Sequence, residues 1–117
     1  MSSAEINDVF QIKVVIDADA SAGISVTVPR ALDILNITVD ATAAAVGETL
    51  AFTTPAGVPT GAIACAAANT ITSAASINPT AAAMTTGQSL DIVASAATVR
   101  GIVVLYCTAS GAALTVA

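Results

Sequence analysis

The chain has 117 residues, of which 56% are hydrophobic, 9% charged and 3% aromatic, and its net charge is −5. This length suits one domain, and the apolar content can offset the entropy of ordering the chain, which excludes a disordered protein. Three cations cannot form a surface that binds a nucleic-acid backbone, and the longest apolar runs, 62–68 and 102–107, are far shorter than the ~20 residues of a membrane-spanning helix. We therefore expect neither nucleic acid nor a membrane as a partner.

The first predicted element is a β-strand at residues 10–17. Apolar side chains occupy alternate positions and mainly polar ones lie between them, which is typical of a strand with one buried face. The same pattern predicts a second strand at 24–28, where Pro29 suits a strand end. A third strand is predicted at 35–40, after a corner at 30–34, with Leu35, Ile37 and Val39 on its apolar face.

Five more strands are predicted at 49–54, 62–66, 70–72, 90–95 and 101–108, separated by turn signals such as the Pro-rich loop 55–59. The last of these strands is apolar on both faces over residues 102–107. Strands of that kind lie inside a sheet whose two faces are both covered. We therefore predict that this strand is central and covered on both sides.

Alanine runs at 43–45 and 81–83 are the competing helix signal. Asn78 and Pro79 suit the cap and first residue of a helix that ends by Gly87, so we expect about one helical turn there. Segment 42–50 is also similar to segment 80–90, since each has an Ala-rich approach, a glycine turn and a strand. This similarity favours a two-halved Greek-key layout, and a chance match within Ala/Thr-rich sequence explains it equally well.

Eight short strands separated by turns predict an all-β fold. We expect a two-sheet antiparallel β-sandwich of jelly-roll type, with about eight short strands, formed by residues 9–117. Residues 1–8 are polar and are predicted to be an N-terminal arm, which either reaches a neighbouring subunit or frays. The side chains predicted to form the core are Ile12, Val14, Ile37, Phe52, Ile92, Val104 and Leu105.

The sequence contains no His, which excludes the Ser-His-Asp and Cys-His arrangements of nucleophilic catalysis. Cys65 and Cys107 are in phase with apolar strand residues, so we expect buried free thiols, and one disulfide between them is the alternative. Two thiols without His are too few for a structural zinc site. We predict no metal-binding residue.

The acidic residues form two candidate sites. Asp17 and Asp19 stand one residue apart in a predicted turn, but the further ligands of a calcium loop do not follow, so we expect solvated turn acids. Glu48 and Asp91 follow the two similar glycine turns, and a glycosidase-type carboxylate pair is the other interpretation, although no aromatic platform accompanies them. We therefore predict that the chain is not an enzyme and has no catalytic or cofactor-binding residue.

Asn36 begins an Asn-X-Thr glycosylation sequon. The first residues carry neither a basic leader nor an apolar run, so we expect no secretory signal, synthesis in the cytoplasm and an unmodified Asn36 on a strand face. Arg30 and Arg100 are expected to be solvated or paired within the chain, and pairing with acids of a neighbouring subunit is the alternative.

The sequence resembles bacteriophage capsid decoration proteins, which are small, acidic β-sandwich proteins rich in Ala, Thr and Val and poor in His. The similarity runs from the opening segment 6–13 to the closing segment 98–106, both of which look like strands of phage head and tail proteins without being diagnostic motifs. The resemblance implies a homotrimeric structural virion protein that binds the phage major capsid protein on the capsid exterior and cements neighbouring copies. It also implies synthesis in the cytoplasm of a bacterial host and no cofactor.

Two other functions would suit the same fold. The first is a surface adhesion or carbohydrate-binding module, against which we count the shortage of aromatic residues and the position of Tyr106 in a predicted core strand. The second is a phage tail or baseplate structural subunit, which would share the fold and nearly all of the composition.

Overall fold

The computed structural model describes residues 4–5, 9–43, 48–65, 70–109 and 113–114. They form strands β1 (Ala4–Glu5), β2 (Val9–Ile16), β3 (Ile24–Thr27), β4 (Leu32–Ala43), β5 (Glu48–Thr53), β6 (Ile63–Cys65), β7 (Thr70–Ser73), β8 (Ala83–Met84), β9 (Ser89–Ala94), β10 (Arg100–Ala109) and β11 (Ala113–Leu114), and one helical turn, α1 (Pro79–Ala82). No helix in this part of the chain is long and apolar enough to span a bilayer.

Two antiparallel sheets pack against each other. The larger sheet has the order β2-β10-β4-β7, with β8 beside β4, and the smaller sheet has the order β3-β9-β5-β6. Eight strands are longer than two residues. If only these eight are counted along the chain, the strand order is 1-8-3-6 in the larger sheet and 2-7-4-5 in the smaller sheet. This is the strand order of a jelly roll. The predicted all-β, jelly-roll sandwich of about eight short strands is confirmed.

The core lies between the two sheets and is built mainly from aliphatic side chains. Ile37 and Leu105 of the larger sheet meet Phe52 and Ile92 of the smaller one, and all four are almost fully buried, as predicted. Two other predicted core residues, Ile12 and Val14, are only partly buried at the margin of this cluster. Their side chains are less buried because β2 is an edge strand of the larger sheet.

Strand β10 lies between β2 and β4, which confirms its predicted central position. The prediction that it is covered on both sides is wrong, because burial alternates along the strand. Val103 and Leu105 point into the core, whereas Val104 is half-buried on the opposite face and is not a core residue. A sandwich has only two layers, so one face of each sheet meets solvent.

Strand β4 begins earlier than predicted and carries a β-bulge. It starts at Leu32, within the corner predicted at 30–34. The register with β10 shifts between Tyr106 and Cys107, which pair with Asn36 and Ile34, so Leu35 has no partner. An extra residue moves the alternation to the other phase. Leu35 is consequently 52% exposed, and the prediction that it shares the apolar face of Ile37 is wrong.

Helix α1 is the single turn that the sequence predicts. The Asn78 side chain accepts a hydrogen bond from the Thr80 backbone N–H at 3.1 Å, and Pro79 occupies the first turn. The similar segments 42–50 and 80–90 begin differently, because Thr42 lies in β4 and Thr80 in α1, but both end in a strand, β5 and β9. Residues 44–47 of the first segment lie outside the described residues.

The predicted arm pairs with the other end of the chain. In β1, Ala4 pairs with Leu114 and Glu5 pairs with Ala113. Residues 113–114, at the far end of the predicted sandwich domain, form with β1 a two-stranded sheet that is separate from the two larger sheets. Residues 1–3 and 6–8 of the predicted arm lie outside the described residues.

Candidate binding surface

The turn acids behave as the sequence predicts. Asp17 and Asp19 are exposed between β2 and β3, and the Asp19 carboxylate accepts a hydrogen bond from the Ser21 backbone N–H at 2.8 Å. Hydrogen bonds from the side chain and backbone of Ser21 hold the pKa of Asp19 below its usual value. Within the described ranges, no cluster of three or more Cys, Asp and Glu side chains could hold a metal ion.

The structure does not bring Glu48 and Asp91 together. In the β5–β9 pair, Asp91 lies opposite Thr53, five residues along β5 from Glu48. At ~3.4 Å per residue the two positions are about 17 Å apart, beyond the roughly 5–9.5 Å that separates glycosidase carboxylates. Glu48 instead accepts a hydrogen bond from the Ser95 hydroxyl. These two acids therefore do not form a carboxylate pair.

The two cysteines are buried free thiols, as predicted. Cys65 lies in β6 of the smaller sheet and Cys107 in β10 of the larger sheet. Burial raises the pKa of Cys107 to about 11, and burial together with the nearby Glu48 carboxylate raises the pKa of Cys65. Thiols with raised pKa values are poor nucleophiles.

The other polar candidate residues, Asn36, Arg30 and Arg100, make contacts within the chain. The Asn36 side-chain oxygen accepts a hydrogen bond from the Ile37 backbone N–H at 2.9 Å. Arg100 donates to the backbone carbonyl of Ala97 at 2.7 Å, and the Arg30 guanidinium lies 5.7 Å from the centre of the Phe10 ring. Both arginines therefore make contacts within the chain, which agrees with the first of the two predicted roles.

The larger sheet turns away from the core a face that carries both large apolar and polar side chains. Residues paired across antiparallel strands point to the same side, so the registers define this face. We call it the outer face, and its side chains are Val9, Gln11, Lys13 and Val15 of β2, Ile102, Val104, Tyr106 and Thr108 of β10, Asp33, Asn36, Thr38 and Asp40 of β4, and Ile71 and Ser73 of β7. Val15 is 53% and Ile71 66% exposed, and Ile102, Val104 and Tyr106 are half-buried between them.

The solvent side of the smaller sheet is different. Its side chains are small or polar, and they include Ser25, Thr27, Ala51, Thr53, Ala64 and Asp91. Val93, 40% exposed, is the one large aliphatic side chain among them. Three of the six exposed large apolar side chains among the described residues therefore lie on the outer face, against one on the solvent side of the smaller sheet, and a grouping of this kind marks an interaction surface.

Charge is distributed unequally across the outer face. Lys13 lies on the β2 side of β10, whereas Asp33 and Asp40 lie on the β4 side. Asp40 pairs with Ile102 and Ile71 on either side, and its Oδ1 atom is buried without a hydrogen bond from any described residue. Buried carboxylate oxygens normally have a donor, so the half-buried Asp40 carboxylate is incompletely hydrogen-bonded among the described residues.

Two grooves border the outer face. One, of about 440 Å³, borders the Leu35 bulge and is lined by Ile34, Ile77 and Pro79 among others. The other, of about 390 Å³, lies between β6 and β7. Asp33 is the one charged residue that lines either groove within the described residues, so neither groove resembles a site for a charged ligand.

The sequence shows that segment 102–107 is apolar on both faces, but the number of layers in the fold decides whether both faces are covered. A strand that is apolar on both faces predicts either two covering layers or one exposed apolar surface. Tyr106 lies in the central strand β10, as predicted, but its side chain is on the outer face and not in the core. A scan against protein-family models gives no match, and no curated protein matches the chain either.

Proposed function

We propose that the chain is a structural virion protein that binds the exterior of a bacteriophage capsid and cements neighbouring major capsid proteins. It acts as a homotrimer, performs no catalysis and uses no cofactor. The observation that carries the proposal is the outer face, a sheet surface with six large apolar or aromatic side chains of the kind that a protein with an assembly role buries against other subunits. The low charge and the jelly-roll fold agree with this role.

The β1–β11 pair supplies a second contact. A two-stranded sheet is at best marginally stable alone in water, and this pair belongs to neither sheet of the sandwich. Contact with the capsid surface would stabilise it. Each copy then needs only a modest interface, because several linked copies on a lattice bind with an avidity well above that of one copy.

The test is co-sedimentation with empty capsid shells assembled from the major capsid protein encoded in the same genome. We expect saturable binding of the full chain and loss of binding after removal of residues 1–8, with thermal melts showing that the sandwich remains folded. Absence of sedimentation with the shells, or a genome that encodes no capsid protein, contradicts the proposal.

A tail or baseplate subunit is separated from a decoration protein by position in the virion. Antibody labelling of purified particles in the electron microscope is expected to mark the heads. Label confined to the tails would assign the chain to the tail or baseplate.

A carbohydrate-binding module is the second candidate, and one observation favours it. The Tyr106 ring lies on the outer face between Gln11 and Asn36, where an aromatic ring flanked by amides could stack against a sugar. This candidate would be supported if the wild-type chain binds host-cell polysaccharide, Tyr106→Ala abolishes the binding and Tyr106→Phe weakens it only slightly. Capsid binding that survives Tyr106→Ala would favour the decoration role.

A further inference from the structure

We propose that the outer face packs against the outer faces of further copies of this chain, about a symmetry axis that runs along β10. In this arrangement Lys13 of each copy lies against Asp40 of the next. The proposal deepens the homotrimer part of the proposed function by naming its surface, and it does not depend on binding to a capsid.

The size of the outer face suits a contact between copies. The fourteen side chains of the outer face, at ~4.8 Å between strands and ~6.8 Å along them, give a footprint of about 450 Å² on each copy. Covering this footprint on two copies removes roughly 900 Å² from solvent, which is the size of a weak contact between copies. The small, polar side chains on the solvent side of the smaller sheet offer no comparable apolar area.

The charges select the direction of the axis. Lys13 lies on one side of β10 and Asp40 on the other. An axis along β10, whether two-fold or three-fold, brings the β2 side of one copy to the β4 side of the next, and so brings opposite charges together. A two-fold axis across the strands would instead set β2 against β2 and place Lys13 against Lys13, which like charges disfavour.

The register allows the contact. Lys13 pairs with Val104, and Asp40 pairs with Ile102, so the two residues lie one row apart on the outer face. Rows of one face are separated by two residues, or ~7 Å, and the flexible four-carbon stem of lysine can close that offset. The ammonium group would approach the half-buried Asp40 carboxylate from solvent and add a charged hydrogen bond to a group that is incompletely paired among the described residues.

The first experiment measures mass by light scattering after size exclusion, at protein concentrations up to about 100 μM, where a contact of micromolar affinity is saturated. The wild-type chain is expected to associate, and Val15→Lys is expected to shift it to the monomer. Val93→Lys is the matched control, because Val93 is also an exposed strand valine but lies on the smaller sheet. A monomeric wild type, or equal effects of the two variants, overturns the proposal.

The second experiment maps the contact by zero-length carbodiimide cross-linking between copies. Lys13 is the only lysine in the chain, so the acid joined to its side chain identifies the neighbouring surface. We expect a link between Lys13 and Asp40 of different copies, abolished in Asp40→Asn. A link to Asp91 on the smaller sheet in place of Asp40 overturns the arrangement.

Charge exchange provides a third readout. Lys13→Asp and Asp40→Lys should each weaken association about tenfold, and the double variant should recover most of the loss, as expected for a close pair of opposite charges. Thermal melts check that each variant folds. If Asp40→Lys does not fold, Asp40→Asn is the milder replacement that removes the charge. Failure of the double variant to recover association, with all chains folded, overturns the pairing.

The outcomes separate this inference from the proposed function. An assembly of three copies agrees with both, whereas two copies joined by the Lys13–Asp40 contact support the inference and contradict the homotrimer. Association without capsid binding leaves the inference standing and removes the virion role.

Discussion

Gly101 of β10 lies so close to Asp40 of β4 that a Cβ atom on Gly101 would stand 2.5 Å from the Asp40 carbonyl oxygen. The register between the two strands shifts between Arg100 and Gly101, so the close approach coincides with an irregularity in the ladder. Gly101 is buried, and the strand pair has no space there for a side chain.

Gly101→Ala should therefore destabilise the fold by roughly 1–3 kcal/mol, because the strands must separate to admit the methyl group. The measurement is urea unfolding followed by circular dichroism. Gly61→Ala is the control, since a Cβ atom at Gly61 meets nothing within 4 Å. That substitution should be neutral, or stabilising by about 0.4–1 kcal/mol through the unfolded chain. Equal losses in the two variants would contradict the close approach.

Thr54→Val should break the link between the turn after β5 and helix α1. The Thr54 hydroxyl is buried and donates a hydrogen bond to the Ala81 carbonyl at 2.6 Å. Loss of the donor leaves that carbonyl unsatisfied at a cost of about 1–3 kcal/mol. Thr53→Val, at the exposed neighbouring position, should change the free energy of unfolding by less than about 0.5 kcal/mol. Similar values for the two variants, measured by thermal unfolding, would refute this role of Thr54.

Leu105→Ala and Val104→Ala test which face of β10 is in the core. Leu105 is 1% exposed, so its truncation should cost about 2–5 kcal/mol, whereas truncation of the half-buried Val104 should cost about 1 kcal/mol or less. Denaturant unfolding at low protein concentration keeps self-association from adding to the second value. A larger loss for Val104→Ala than for Leu105→Ala would reverse the assignment of the faces.

Cys107 should make the fold less stable at high pH. Burial raises the pKa of its thiol from 9.0 to about 11, so between these values the unfolded chain has lost the proton that the folded chain retains. Stability then falls as pH rises: the contribution is fully present below about pH 9 and is lost as pH passes about 11. Cys107→Ala lacks this group, so its stability deficit relative to the wild type should narrow between about pH 8 and pH 11. A constant deficit in urea unfolding would show that the thiol does not titrate differently in the two states.

Much of the fold could be predicted from local patterns. Local patterns located all eight of the longer strands, by alternation at period two in most of them and by β-branched or doubly apolar runs in the others. Asn78 with Pro79 located the helical turn, because backbone geometry and capping act over a few residues. The polar turn acids and the buried thiols were also predictable, since each follows from the side chain's own preference for water or for an apolar environment.

Other features depend on contacts between segments that are distant in sequence. Leu35 lies outside the core because a bulge changes the phase of β4 against β10, and nothing in the letters around Leu35 marks that shift. The pairing of residues 113–114 with residues 4–5 likewise joins the two ends of the chain.

The sequence by itself determined that this chain forms an all-β sandwich with one core and strands at these positions, because hydrophobic alternation and turn residues act locally. Only the tertiary structure decided which face of the doubly apolar β10 enters the core. A two-layer sandwich covers one face of each sheet, so Leu105 is buried while Val104 and Ile102 remain on the outer face beside Lys13 and Asp40. That choice depends on the packing of whole sheets, and it creates the surface on which the proposed assembly depends.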